Sequence, residues 1–222
     1  MSQLTKGVIY IVSGARYTEM AIASAQSLKR HNSDLKVHLI TDQEIEIILH
    51  IDSIDIIKDA HRRSKVDYMY KSPFEHTLYL DADTFVLHNL DELFDVLLRF
   101  DIAMAHAHKR NKTHLQKWRE EIPQAFPQMN SGVVLFRKNK ETLKLLKDWQ
   151  EVFHAAGFKR DQITLRELLW LSDLRIHILP PEYNVRFKKY LNLWTQEEAS
   201  PKILHFDEFT EFYSYIQNQK KD

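Results

Sequence analysis

The sequence predicts an α/β protein built on one mostly parallel β-sheet with helices on its faces. Three observations carry this. Short apolar runs are continuous rather than alternating, as strands buried on both faces require. The segments between several of them place apolar residues at helical spacing. Strand-like and helix-like segments alternate from the amino terminus, the pattern of βαβ units.

Each element follows from its own residues. KGVIYIVSG (6–14) reads as a buried strand leaving through a Ser-Gly turn. TEMAIASAQSLKRH (18–31) is helical, LKVHLITD (35–42) is the second strand and IDIIK (54–58) a short third. KVDYMYKSPF (65–74) is helical up to its proline, and HTLYL (76–80) is the next strand. Asn89, with Glu92 three residues on, has the pattern of a capping box opening the helix DELFDVLLRF. DIAMAHA (101–107) and GVVLFR (132–137) are later strands, and KETLKLLKDWQEVFHAA (140–156) is an amphipathic helix. DQITLRELLWL (161–171) is helical, and RIHIL and KILHF are the last strands. Ligands in such sheets bind beyond the carboxyl ends of the strands.

Composition removes several function classes. The chain has 222 residues, 44% of them hydrophobic, enough for a sizeable core. Lys plus Arg equals Asp plus Glu at 31 each, so the formal net charge is zero. That argues against a general nucleic-acid binder, which needs a basic surface. Cysteine is absent, which rules out disulfides and thiolate metal sites and fits a reducing, cytoplasmic location. No apolar run reaches the roughly 20 residues of a transmembrane helix. Four glycines and six prolines leave little room for flexible linkers, so residues 1–222 are expected to form a single domain.

The segment LYLDADTFVL (78–87) raises a chemical question. Asp81 and Asp83 leave the end of a buried strand together, flanked by apolar residues. In an extended chain, residues two apart point the same way, roughly 6.5–7 Å apart. Two carboxylates so placed repel unless a positive group sits between them. A hard divalent cation would do so, and would also neutralise a diphosphate at the same rim. The plain alternative is one aspartate capping a turn and the other solvated.

The wider segment LYLDADTFVLHNLDELF resembles the D-x-D region of glycosyltransferase family 8, the family of glycogenin and bacterial galactosyltransferases. MNSGVVLFRKNKETLKLL (129–146), RDQITLRELL (160–169), LPPEYNVRF (179–187) and KILHF (202–206) are similar to further segments of that family, in the same order. At the front, IYIVSGARYTEMAIASAQSLKRHN resembles its nucleotide-binding strand, loop and helix. The resemblance implies a GT-A fold, a single Rossmann-like, mostly parallel sheet flanked by helices. It implies an enzyme that moves a hexose from a nucleotide-diphosphate sugar, a UDP-sugar, to an unknown glycan, protein or lipid acceptor, with retention of configuration.

The resemblance also implies residue roles. Asp81, Asp83 and His205 would hold Mn2+ or Mg2+, whose alternative for His205 is a core histidine on a strand. Ser13, Tyr17, Lys65, Asp81, Ala82, Asp83, Asn130 and Ser131 would contact the nucleotide sugar. Lys65 otherwise reads as a solvated lysine at a helix start, Tyr17 as an ordinary helix-entry aromatic, and Asn-Ser-Gly as a turn. Asp161 and Gln162 would lie nearest the anomeric carbon, where a carboxylate stabilises an oxocarbenium-like state or forms a covalent intermediate. The alternative for Asp161 is a helix cap.

Two departures stand out. The family's glycine and lysine after its late histidine, which clamp the diphosphate, have no counterpart in HFDEFTEFYSYIQNQKKD. Residues 42–64 are also short for the family. Trp118, Phe126, Trp170 and Trp194 are candidates for stacking on an acceptor sugar, though most such aromatics belong to cores. The H-x-H pair His106 and His108, with His114 nearby, lacks an acidic partner and reads as packed or solvated. A sugar-phosphate nucleotidyltransferase is the alternative enzyme, but IVSGARYTE lacks the glycine- and arginine-rich phosphate loop. A catalytically inactive nucleotide-sugar-binding module is the alternative outside enzymes.

Overall fold

The computed structural model describes residues 5–46, 48–110, 117–195 and 197–206; His114 and the segment after Phe206 lie outside them. The elements run β1 (Lys6–Ile11), α1 (Ala15–Lys29), β2 (Lys36–Thr41), β3 (Ser53–Ile56), α2 (Ser64–Tyr68), β4 (His76–Leu80), β5 (Thr84–Val86) and α3 (Asp91–Val96). They continue with β6 (Ile102–His106), β7 (Met129–Arg137), α4 (Lys140–Ala156), α5 (Gln162–Leu171), β8 (Ile176–Ile178) and β9 (Ile203–His205). Seven strands form one sheet in the order β3-β2-β1-β4-β7-β6-β8. All its pairings are parallel except those of β7, which runs against β4 and β6.

The continuous apolar runs are explained by the two faces they serve. Val8, Tyr10, Leu78, Leu80, Val133 and Leu135 face a core closed by α1 and α3. Their neighbours Ile9, Tyr79, Val134 and Phe136 face the opposite core, filled by Trp149 of α4 and Leu165 of α5. Side chains alternate across the sheet, so both parities must be apolar when both faces are covered.

Most expected elements are present. The helix expected over 65–74 ends early: α2 stops at Tyr68 and one tight turn, Met69–Lys71, leads to Pro73. Proline disfavours the helical conformation in the residue before it, which explains the stop. The strand expected from Gly132 begins three residues sooner, at Met129, so Asn130 and Ser131 are strand residues, not a turn. The capping box at Asn89 does not form. Leu90 is the cap residue, Asn89 Oδ1 accepts from Asp91 N–H at 2.8 Å, and Glu92 instead receives the Tyr183 hydroxyl. β5 was read only as an apolar segment. It pairs outside the main sheet, with β9.

The topology puts several chain ends at one edge. β1 and β4 are adjacent parallel strands although their onward connections diverge, and such a switch point opens a crevice at the carboxyl ends. β7 is antiparallel, so its amino end, Met129 to Ser131, meets that same edge.

Helix α4 has clear stops at both ends. Asn139 Oδ1 accepts from Thr142 N–H at 2.8 Å, and Gly157 closes the helix with a left-handed φ of 65°. Asn139 also donates to Asp101 Oδ1 at 2.9 Å. Asn139→Ala should therefore lower stability by about 1–2 kcal/mol, measured by denaturant unfolding. A loss indistinguishable from zero would mean that the cap contributes nothing.

Candidate active site

The site begins where β4 ends. Asp81 N–H donates to the Gly132 carbonyl on β7 at 2.8 Å, so its backbone is still tied to the sheet. The chain then reverses, with the Asp81 carbonyl accepting from Thr84 N–H at 3.2 Å and Thr84 Oγ1 at 2.8 Å. The D-x-D segment is thus a turn, which corrects the extended geometry expected for it. The turn delivers β5, whose Thr84 lies opposite His205 of β9. The two carboxylates converge because His205 sits between them. Its Nε2 is 3.5 Å from Asp81 Oδ2 and 3.1 Å from Asp83 Oδ1. One ligand atom from each of the three residues lies within 4.8 Å of the others.

Asp81 shares its oxygens among several partners. Oδ1 accepts the Tyr79 hydroxyl and Lys65 Nζ, the latter at 3.0 Å, while Oδ2 accepts from Lys65 Nζ at 3.2 Å and also faces His205. Burial acts to raise its pKa, but the Lys65 ammonium and His205 outweigh it and hold the carboxyl well below the usual range. Lys65 is 5% exposed, so it is not a solvated lysine. It also donates to the Ser131 carbonyl at 3.1 Å. Burial alone would lower its pKa; Asp161 and Asp81 overcome that and raise it, keeping the ammonium charged.

His205 is oriented by a relay of amides. Gly132 N–H donates to Asn130 Oδ1 at 2.9 Å, which fixes that oxygen as an acceptor. Asn184 Nδ2 donates to the same oxygen at 3.0 Å, leaving Asn184 Oδ1 to face His205 Nδ1 at 2.8 Å. An amide oxygen only accepts, so Nδ1 carries hydrogen and Nε2 is the nitrogen turned to the aspartates. Burial lowers the imidazole pKa, but Asp83 and then Asp81 outweigh it and raise it. A proton and a metal cation are alternatives at Nε2.

Asp161 is at the N-terminus of α5, but its side chain makes no capping hydrogen bond, which removes the cap reading. It is 2% exposed and accepts from Ser131 Oγ, with Arg63 Nη1 3.4 Å and Lys65 Nζ 3.7 Å away. Its backbone carbonyl accepts from Trp149 Nε1 at 3.1 Å, which ties it to the core.

At the entrance, Gly14 takes a left-handed φ of 84° and its N–H donates to Asp42 Oδ1 at 2.8 Å. Ser13 Oγ donates to Asp42 Oδ2 at 3.3 Å. Asp42 therefore fixes the loop that leads into α1, whose Tyr17 is half-exposed. All eleven residues singled out from the sequence line one cavity of about 590 Å³, from Ser13 and Tyr17 through Lys65, Asp81, Ala82 and Asp83 to Asn130, Ser131, Asp161, Gln162 and His205.

Residues 76–211, more than half of the chain, match the nucleotide-diphospho-sugar transferase family. The chain belongs to this family. It is 24% identical over 91% of its length to glycogenin-1 of Caenorhabditis elegans and 29% identical over 93% to glycogenin-2 of Homo sapiens. It spans about half the length of these curated relatives, 49% and 43%. Its fold is similar to that of galactosyltransferase LgtC, solved with donor and acceptor sugar analogues. The TM-score is 0.65 at 14% identity, covering 90% of this chain and 87% of that one. The family 8 resemblance and the GT-A arrangement of the sheet are thereby borne out.

For this member of the transferase family, sequence reasoning missed several cavity residues. Arg62, Arg63, Arg160 and Arg186 line the cavity. Arg186 lies 3.5 Å from Asp83 and donates to the His205 carbonyl at 2.9 Å. Isolated arginines in loops carry no periodicity or spacing by which to find them. Asn184, in LPPEYNVRF, carries no local signal of its contact with His205. Trp118, Phe126, Trp170 and Trp194 do not line the cavity. Phe126 and Trp170 pack edge-to-face at 5.2 Å, and Trp194 stacks near Tyr190. His108 packs on Phe187 at 4.2 Å, a packed histidine as expected.

His61, Asp67 and His154 form another close group. Arg63 N–H donates to His61 Nδ1 at 3.1 Å, so that nitrogen is bare and the hydrogen sits on Nε2, facing Asp67. This favours a hydrogen-bonded group over a metal site. Asp67 also meets His154 Nε2 of α4 at 2.6 Å, which pins the helix carrying Lys65.

The triad depends on a glycine. A Cβ on Gly132 would lie 2.0 Å from His205 Cε1 and 2.6 Å from Asp81 Oδ2. Gly132→Ala should therefore displace His205, shifting its imidazole NMR resonances, while the circular dichroism spectrum is kept. Wild-type His205 resonances in that variant would show that His205 and Asp81 need not approach each other here.

Proposed function

We propose that this chain is a metal-dependent glycosyltransferase, moving a hexose from a UDP-sugar to a glycan, protein or lipid acceptor with retention of configuration. The observation that carries the reading is convergence. Eleven residues spread from position 13 to position 205 line one concave cavity at the rim of the sheet. Its volume of about 590 Å³ lies within the range of small-ligand pockets. The family assignment supports the same reading.

The donor set fits a divalent cation. Asp81, Asp83 and His205 offer two carboxylate oxygens and an oriented imidazole nitrogen, a mixture that suits Mn2+ and tolerates Mg2+. When bound, such a cation supplies Lewis acidity to the departing diphosphate.

The chain's own groups supply the rest. Ser13 and Tyr17 border the cavity where β1 ends and would hold the nucleoside. Lys65 bridges Asp81 and Asp161, so it orders the two acids as well as adding positive charge near the phosphates. Arg63 and Arg186 add cationic lining and would serve in place of the missing clamp. Asp161 lies between Arg63 and Lys65, with Ser131 donating to it. There it would stabilise positive charge developing on the sugar, with Asn130 and Gln162 beside it.

Two variants test this reading. Asp83→Ala should abolish Mn2+-dependent UDP-sugar binding with the fold intact, measured by calorimetry with and without Mn2+. Unchanged affinity and unchanged metal dependence would sink the metal assignment. Asp161→Asn should keep UDP affinity within a few-fold yet lower sugar transfer, or donor hydrolysis, about 100-fold or more. Near-wild-type turnover would remove Asp161 from the chemistry.

A further inference from the structure

Beside the first cavity lies a second, of about 750 Å³. The two share Asn130, Arg160, Gln162 and Arg186 in their walls, so a molecule in the second cavity reaches the Gln162 side of the first. Its lining differs in charge. Lys109, Arg160, Arg186, Lys188 and Lys189 contribute cations, and no aspartate or glutamate lines it among the described residues. In a chain of zero formal net charge this is a local concentration, not a property of the whole surface.

Two further features indicate a built site. Gln128 lines the cavity and is 3% exposed, yet its Nε2 has no hydrogen-bond partner among the described residues. A buried amide donor without a partner costs about 1–3 kcal/mol, which a ligand oxygen would recover. Phe187 is exposed, packs on His108 at 4.2 Å and has Lys189 Nζ 5.6 Å from its ring centre. A ring face flanked by donors suits a pyranose, whose C–H face is apolar and whose edge is polar. His108 senses the field: burial first, then Lys189, Arg110 and Lys109, push its pKa down.

We propose that this cavity is the acceptor subsite and that the acceptor is an anionic sugar, one bearing a carboxylate or a phosphate. The inference rests on the transferase reading for its use. Phe187 would carry the ring, Gln128 Nε2 would donate to a ring or hydroxyl oxygen, and Lys109, Lys188 and Lys189 would meet the anionic group. The reacting hydroxyl oxygen bonds to the donor's anomeric carbon as the bond to the diphosphate oxygen breaks. The electron pair leaves with the diphosphate, and the hydroxyl proton passes to it or to solvent. The volume suits one or two sugar rings, which separates this from a surface for a nucleic acid.

The test is saturation-transfer NMR with three probes: methyl β-glucoside, methyl β-glucuronide and glucose 6-phosphate. At low salt at least one anionic probe should bind about tenfold tighter than the neutral glucoside, with the advantage shrinking as salt is added. The glucuronide and phosphate arms tell the two anions apart. In Lys109→Gln/Lys189→Gln the ratio of anionic to neutral affinity should fall toward one. A neutral glucoside that binds as well as both anions would overturn the proposal, as would a preference that survives in the double variant. Calorimetry of UDP with Mn2+ on the same samples reports separately on the donor site. UDP binding without anion preference removes the acceptor proposal alone; anion preference without UDP binding removes the transferase reading and reduces the cavity to a site for anionic sugars.

Discussion

Two carboxylates at the rim of a packed sheet have to be neutralised, and most of the site follows from how this is done. Asp81 leaves the end of a fully buried strand, where water does not solvate it fully. The buried Lys65 ammonium, the Tyr79 hydroxyl and His205 are placed around it. Each of these comes from a different element, α2, β4 and β9, so the ionic requirement of one side chain draws three parts of the chain together. Lys65 would be costly to bury without partners, and it has two aspartates within 4 Å. The same cluster therefore holds both Asp81 and Asp161.

His205 approaches so closely only because residue 132 has no side chain and because Asn184 turns the imidazole. The relay from Gly132 N–H through Asn130 and Asn184 transmits the orientation of a strand backbone to one ring nitrogen. Strand geometry is far stiffer than a loop, which makes it a sound base for fixing that nitrogen in place. A second pair of histidines follows a similar logic at lower burial. His61 and His154 brace Asp67, and with it the short helix that presents Lys65.

The two adjoining cavities divide the charge. The first mixes three aspartates with cations, while the second is lined by cations with no described carboxylate. Gln162 and Arg186 stand on the wall between them. A site with one mixed and one cationic half is electrostatically polar along the line that joins them. That polarity arises from loops around a neutral sheet, so the fold tolerates it without a large net charge.

The sequence by itself determined the sheet, its mostly parallel order and the identity of the acids at its edge. Continuous apolar runs, helical spacing and the D-x-D at a strand end all report local chemistry, and local chemistry is written in consecutive residues. Asp81 and Asp83 were legible because their motif is short and lies at a strand end, whereas Asp161 and His205 were picked out by the family resemblance. Tertiary structure alone decided what those residues meet. The D-x-D is a turn, not an extended segment, because β5 folds back to pair with β9 far along the chain, from Thr84 to His205. Asp161 does not cap its helix because Arg63, Lys65 and Ser131 compete successfully for its oxygens. Arg186 and Gln128 gave no signal, since a single polar residue in a loop has no period. Their partners are distant in sequence, and only the closing of the chain brings the charges within reach of each other.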